Sequence, residues 1–340
     1  MATLKDVAER AGVSVRTVSN VVNDWPHVRP ATRERVQRVI DELGYQPNLA
    51  ARNLRSGRSG LIALVVPEVD VPYFAELTRC LVDEFSTRGM TVVVEQTDGR
   101  LDRERELINR GAQASLFDGI IFSPVSMSSQ EIEDRRSTLP LVLLGEQHTS
   151  LLDHVLVDNV AAAQDATQHL LDLGRRRVAL IGDRPAVRLN TSMLRTEGYK
   201  AALRAAGIAP DPRYMPTTSK FHRADGASAM AELLRLEPVP DAVFCLNDLL
   251  ALGAIRTILT SGLRIPDDIA VVGFDGIEEG RYSTPTLTTV APDKSEIARR
   301  AVELLMGQIE HRDSAPHMEI VPYAIQVGES TVGPSYSARN

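Results

Sequence analysis

Cysteine is almost missing from this chain: Cys80 and Cys245 are the only two in 340 residues. Neither stands at metal-ligand spacing from other ligands, and together they make no disulfide framework. Both read as small core residues of a protein held in a reducing compartment. Aromatic residues are also scarce, at 4%, so an aromatic in polar surroundings is worth weighing. No stretch approaches the 18 apolar residues that suggest a membrane span. The first residues carry Lys5, Asp6, Glu9 and Arg10 where a signal peptide would have an apolar run. These absences point to the cytoplasm, with no membrane partner. Seven histidines form no H-x-x-x-H pair, and there is neither a Walker loop nor a GxGxxG after a strand. No metal and no cofactor is expected. No internal repeat or low-complexity segment stands out.

What is present begins at Thr3. The stretch TLKDVAERAGVSVRTVSNVVN, Thr3 to Asn23, reads as helix, tight turn, helix. Leu4, Val7, Ala8 and Ala11 fall at i, i+3, i+4 and i+7, one face of a helix. Thr3 with Asp6 can open it as a capping box, and Gly12 supplies the turn. Ser14 then caps a second helix, in which Val15, Val18, Val21 and Val22 alternate with Arg16, Thr17, Ser19 and Asn20. Two short helices joined through glycine make a helix-turn-helix, whose second helix enters the major groove of DNA.

The neighbouring segments reinforce that reading. ATRERVQRVIDELG predicts a third helix with Val36, Val39, Ile40 and Leu43 buried and Gly44 past its end. Pro47 blocks helix before it, Asn48 can cap, and a short helix rich in alanine follows over about 48–56. Ser56, Gly57, Ser59 and Gly60 give a flexible exit. Charge changes at the same place. Residues 1 to 60 hold ten Lys or Arg against six Asp or Glu, a net of +4; the rest hold 28 against 39, a net of −11. A small basic module on a large acidic body is the footprint of a DNA-binding head attached to something else.

The remaining 280 or so residues suffice for two α/β lobes. Apolar runs bounded by turn residues recur: LIALVVP, TVVVEQ, DGIIFSP, LVLLG, HVLVD, RVALIG, DAVFCL and IAVVGFD. Such runs suit strands buried on both faces of a parallel sheet. Helical segments lie between them, among them YFAELTRCLVDEFSTRG, NVAAAQDATQHLLDLG, MLRTEGYKAALRAAG and NDLLALGAIRTILTSG. The alternation predicts doubly wound α/β lobes with ligands at the carboxyl ends of the strands. Asp70, Asp158, Asp248 and Asp275 fall near such ends, where an enzyme would keep catalytic carboxylates. Carboxylates there also bind sugar hydroxyls without chemistry. No Ser–His–Asp or Cys–His arrangement and no base with an orienting partner is evident, so no catalytic residue is assigned. A periplasmic binding protein would suit the body, but not the basic head or the missing signal peptide.

Taken together the chain resembles the LacI/GalR family of transcription regulators. The resemblance rests on TLKDVAERAGVSVRTVSNVVN, TRERVQRVIDELGYQPNLAARNLRSG, and CLNDLLALGAIR followed by IPDDIAVVGFDG, three blocks in the family's order. It implies a head with hinge helix over residues 1–58 and an effector-binding and dimerisation domain over 61–340. That domain would have two periplasmic-binding-protein-like lobes. The N-lobe would cover about 61–158 and 291–320, and the C-lobe about 159–290 and 321–333, with crossings near Asn159, Val290 and Val321 and a tail over 334–340.

The resemblance also implies residue roles. In the head, Val15, Arg16 and Asn20 would face base edges: Arg16 suits guanine, Asn20 adenine, and Val15 a thymine methyl. Thr3, Ser14, Thr17, Ser19, Asn23, Thr32 and His27 would approach phosphates or the groove edge. Tyr45, Pro47, Asn48, Ala51 and Leu54 match the hinge pattern, with Leu54 a wedge for the central base step from the minor groove. A hinge helix so short is unstable alone, so it would form only against a partner helix and DNA.

In the cleft, Asp70, Tyr73, Phe74, Asn190, Thr191, Arg195, Phe221, Asn247 and Asp275 would hold the effector. Leu189 stands where purine-binding members carry arginine, and Arg188 is beside it to substitute, so a purine corepressor is the alternative effector. Gly145 stands where a galactoside-binding member has aspartate, which disfavours a galactoside but not sugars in general. No leucine heptads follow Gly333, so a further four-helix assembly is not expected. The expected function is a repressor: a homodimer on a dyad-symmetric double-stranded operator, controlled by a small effector, a sugar or related metabolite.

Overall fold

The computed structural model describes residues 2–22, 25–45, 58–114, 116–145, 151–184, 191–310 and 315–333. The chain divides into two compact units, Met1–Ser59 and Gly60–Asn340.

The first unit is a three-helix cluster. Helix α1 (Leu4–Ala11) is opened by Thr3, whose side chain accepts from the Asp6 N–H while the Asp6 carboxylate accepts from the Thr3 N–H at 2.8 Å. Gly12, at φ 64°, ends it. Helix α2 (Val15–Val22) starts with the Thr17 N–H donating to Ser14 Oγ at 3.1 Å. Helix α3 (Pro30–Leu43) ends at left-handed Gly44. The core is Val7, Ala8, Ala11, Val18, Val21, Val36, Val39 and Tyr45, with Leu4, Val22, Ile40 and Leu43 half-buried against it.

The second unit contains two sheets. In the first, strands run in the order β10 (Met318–Val321), β5 (Asp153–Val157), β4 (Leu141–Leu144), β3 (Gly119–Phe122), β1 (Leu61–Val66), β2 (Thr91–Gln96). All pairings are parallel, with Leu64 set between Val94 and Ile121. The order turns back between β1 and β3, which opens a crevice at their carboxyl ends. The second sheet runs β11 (Tyr323–Gln326), β9 (Thr288–Pro292), β8 (Ala270–Phe274), β7 (Ala242–Cys245), β6 (Val178–Ile181). It departs from the all-parallel expectation at one edge, where β11 is antiparallel to β9. Most strands are buried along their length, which is why they read as unbroken apolar runs.

Helices cover the sheets: α4 (Pro72–Ser86), α5 (Leu101–Ala114), α6 (Ser129–Glu133), α7 (Asn159–Asp172), α8 (Thr191–Ala205), α9 (Arg223–Leu233), α10 (Asp248–Thr260), α11 (Glu278–Tyr282), α12 (Lys294–Glu310) and α13 (Glu329–Val332). The chain passes from one sheet's lobe to the other between β5 and α7, between β9 and α12, and between β10 and β11. Helices α9 and α10 approach at glycine: a Cβ on Gly226 would lie 2.1 Å from the Leu250 carbonyl oxygen, and one on Gly253 2.0 Å from that of Arg223.

Candidate functional site

The segments leaving β1, β3, β6, β7 and β8 converge on a cavity of about 390 Å³, a volume suited to a small ligand. The first lobe contributes Glu68, Tyr73, Phe74, Asp98, Ser123, Ser126 and Gly145; the second contributes Arg184, Thr191, Arg195, Lys220, Phe221, His222, Asn247 and Asp275.

At its floor Arg195 and Asp275 are each 8% exposed, with the guanidinium Nη1 3.6 Å from the carboxylate. Arg195 Nε donates to Asn159 Oδ1 at 2.7 Å, another guanidinium N–H donates to the Leu246 carbonyl, and the group lies 3.4 Å from the Phe274 ring centroid. A buried cation needs this full set of acceptors. Asp275 sits at φ 116°, a conformation that costs energy outside glycine and that sites retain for placing a side chain. Burial pushes its carboxyl up to about 6, against the pull of Arg195 and Lys294, with Glu76 adding to the rise.

Behind it, Asp248 is fully buried and accepts from the Ile277 N–H at 2.9 Å and from the Thr289 hydroxyl at 2.6 Å. Burial, with the Asp275 charge nearby, drives the Asp248 carboxyl far above the carboxylate range. Asp248 therefore fixes the turn that carries Asp275 and is itself no candidate ligand group.

Asn247 caps α10, its Oδ1 accepting from the Leu250 N–H at 2.9 Å, and its amide donates to the Phe221 carbonyl at 3.1 Å. One side chain thus orders both a helix start and the loop that presents the Phe221 ring. Tyr73 and Phe74 meet edge to face at 5.3 Å between centroids. Lys294 is clamped by the Gly276 carbonyl at 2.9 Å and by Glu76 at 2.8 Å.

The structure gathers Tyr73, Phe74, Thr191, Arg195, Phe221, Asn247 and Asp275 around the cavity. Asp70 is a correction: it is exposed and outside the lining, because its segment turns toward solvent before α4. Asp158 caps α7 by accepting from the Ala161 N–H. Asn190, Arg188 and Leu189 lie outside the described residues. Sequence reasoning missed Glu68, Arg184, Lys220 and His222. It also missed Glu104, whose buried carboxylate accepts from the Val125, Ser126 and Met127 N–H groups and so shapes the loop after β3. A carboxylate inside an amphipathic helix gives no sign of such a role.

In the three-helix unit, Val15 is 45% exposed and Arg16 is exposed, whereas Val18 and Val21 of the same helix are buried. The start of α2 therefore presents an apolar methyl pair and a guanidinium side by side. Asn20, Ser19 and Thr17 are half-buried; Thr3, Ser14 and His27 are exposed; Thr32 is half-buried. Tyr45 is a correction: its ring lies in the helical core, because the chain doubles back after Gly44 with the Tyr45 N–H donating to the Ile40 carbonyl at 3.0 Å. Asn23, Pro47, Asn48, Ala51 and Leu54 lie outside the described residues. Among the described residues no group of His, Cys, Asp or Glu is placed to hold a metal ion, and no helix is long and apolar enough to cross a membrane.

Residues 3–48 match the family model described as bacterial regulatory proteins, lacI family, and residues 167–331 match that of the periplasmic binding protein-like domain. The chain is 34% identical over 333 residues to the ribose operon repressor of Halalkalibacterium halodurans, with 98% of each covered. A solved complex of the transcriptional regulator CelR with cellobiose is 31% identical, covering 97% of this chain and 100% of that one, with a TM-score of 0.73. The lac repressor dimer bound to operator and the anti-inducer ONPF is 26% identical, covering 97% and 99%, with a TM-score of 0.84.

Proposed function

The chain belongs to the lacI family of bacterial regulatory proteins, and from that premise we propose that it is a sequence-specific DNA-binding repressor controlled by a small sugar or related metabolite in the cleft between its lobes. It acts as a homodimer on a dyad-symmetric double-stranded operator, and its place is the cytoplasm. It performs no catalysis.

The observation that carries this reading is one chain joining two different kinds of surface. Helix α2 presents exposed Val15 and Arg16 from a basic three-helix unit, while Arg195, Asn247 and Asp275 line a cavity of ligand size in the acidic body. Guanidinium at the start of such a helix pairs bidentately with guanine, and Val15 suits a thymine methyl. Asn20 suits adenine, while Thr3, Ser14, Thr17, Ser19, His27 and Thr32 position the head on phosphates and groove edges.

In the cleft, Phe221 stacks on the apolar face of a ring, and Asp275 with Arg195 and Asn247 takes its hydroxyls. Burial makes these polar contacts selective, since a hydroxyl left unpaired against them costs about 1–3 kcal/mol. The body's response reaches the head through a change in the relation of the two lobes. A panel of neutral sugars screened by thermal shift tests the ligand half of this reading: a ligand at 100 times its Kd raises stability by about 2.7 kcal/mol. Selection of bound duplexes from a random pool tests the DNA half, and an enriched dyad sequence is the expected result.

A further inference from the structure

Among the described residues, two of the cations that line the cavity have no ion-pair partner. Arg195 is met by Asp275 at 3.6 Å, and Glu68 lies 3.1 Å from His222, an ion pair only when the imidazole is protonated. Asp98 is met by Arg103 at 3.5 Å. Two cations remain, Arg184 and Lys220, both in the cavity lining, and among the described residues neither forms an ion pair. Both are neighbours of Phe221: the Arg184 guanidinium is 5.7 Å from its ring centroid, and Lys220 precedes it in the chain.

Local bonding fixes this arrangement from behind. The Arg184 N–H donates to Ser192 Oγ at 3.1 Å, and that hydroxyl donates to the Gly182 carbonyl at 2.8 Å. The Lys220 backbone N–H donates to Asp225 Oδ1 at 3.2 Å, and Lys220 is among the residues that line the cavity. The first turn of α8, a 15-residue helix, opens into the same end of the cavity with Thr191 and Ser192, and the positive end of its dipole adds to the field there.

We propose that the effector carries one anionic group, a phosphate monoester or a carboxylate, on a hydroxylated ring. The anion is held between Arg184 and Lys220 while the ring stacks on Phe221 and its hydroxyls face Asp275 and Asn247. This inference rests on the reading of the cavity as the effector site. An anion that enters gives these two cations charge-assisted hydrogen bonds, which favour the charged ligand over its neutral counterpart. Guanidinium offers a planar fork to either kind of anion, and the ammonium adds a point charge without shape.

The test uses the full-length protein and matched probes in titration calorimetry. Ribose is set against ribose 5-phosphate, glucose against glucose 6-phosphate and glucuronate, and galactose against galacturonate. At least one anionic probe should bind roughly tenfold or more tightly than its neutral partner. The phosphate and carboxylate arms show which anion fits. In the double variant Arg184→Gln, Lys220→Gln that preference should collapse toward one, and Lys220→Gln alone, at an exposed position, should remove part of it. A neutral sugar that binds as tightly as its charged partners overturns the inference and leaves the sugar-controlled repressor standing. An anion preference that survives the double variant also overturns it. Absence of binding by every probe, neutral or charged, overturns the inference together with the reading beneath it.

Discussion

Nε2 of His222 lies 3.1 Å from Oε2 of Glu68, and the two side chains reach this contact from opposite lobes. Glu68 follows β1 in the first sheet; His222 precedes α9 beside the second. The pair spans the mouth of the cavity that both residues line. Both are partly exposed, so the contact is weak and biases the lobes without locking them. In His222→Ala a bound ligand should dissociate several-fold faster while the melting temperature barely moves. Stopped-flow dissociation and a calorimetric melt on the same preparation check this, and an unchanged off-rate would remove the pair from the closing contacts.

Asp275 gives the site a pH dependence of known sign. Its folded-state value, about 6, lies above the ordinary aspartate value. Its contribution to stability is therefore complete below that ordinary value and is lost as pH rises through about 6. In the proposed reading the carboxylate accepts ligand hydroxyls, so ligand binding runs the other way. Affinity should fall by up to roughly tenfold per pH unit below pH 6. Asp275→Asn should flatten that profile and abolish the effector response while operator affinity without ligand stays near wild type. Calorimetric titrations between pH 5 and 8 decide it.

Arg16→Ala should cost roughly 1–3 kcal/mol in each half-site and relax one symmetric pair of operator positions. Duplex selection with the variant should show that pair losing its preference. An unchanged site preference would take Arg16 out of base reading and leave it a phosphate contact.

The α9–α10 contact predicts a stability effect with no direct role in either site. In Gly226→Ala the new methyl meets the Leu250 carbonyl oxygen at 2.1 Å, so backbone must move. The loss should be about 3 kcal/mol or more. Denaturant unfolding followed by circular dichroism measures it, and a midpoint equal to wild type would mean that the two helices separate freely.

The helices of the head, four helices of the body and the inner strands were legible in sequence because each carries one strong physical signature. Thr3 with Asp6, and Gly12 after Ala11, mark the limits of α1 in the residues themselves. LIALVV and IAVVGF are apolar throughout because both faces of their sheets are covered. Strands β9, β10 and β11 lacked that signature. TTVAP is half polar, since the Thr288 and Thr289 hydroxyls are satisfied internally by Gly328 and Asp248. MEIV and YAIQ are sheet edges with exposed alternate residues.

The site divides along similar lines. Arg195, Asn247 and Asp275 stand at strand ends or helix starts, positions that topology turns toward a cleft. Asp70 stands at such an end too and faces solvent, because sequence says where a strand stops but not which way the next turn goes. Tyr45 matched a hinge pattern, yet the Gly44 turn folds its ring back into the head core. Glu68 and His222 could not be paired beforehand, since only the folded lobes bring residues so distant in the chain to 3.1 Å.

The central claim is that a ligand in the cleft sets the affinity of the head for its operator. The direct test is fluorescence anisotropy with the selected dyad duplex, in full-length wild type and in Asp275→Asn, with and without a saturating ligand from the probe panel. The account predicts that the ligand shifts operator Kd in wild type by roughly 5- to 150-fold, the usual span of coupling between two sites, and leaves the variant unmoved. An operator affinity in wild type that does not change with the cleft fully occupied would contradict it.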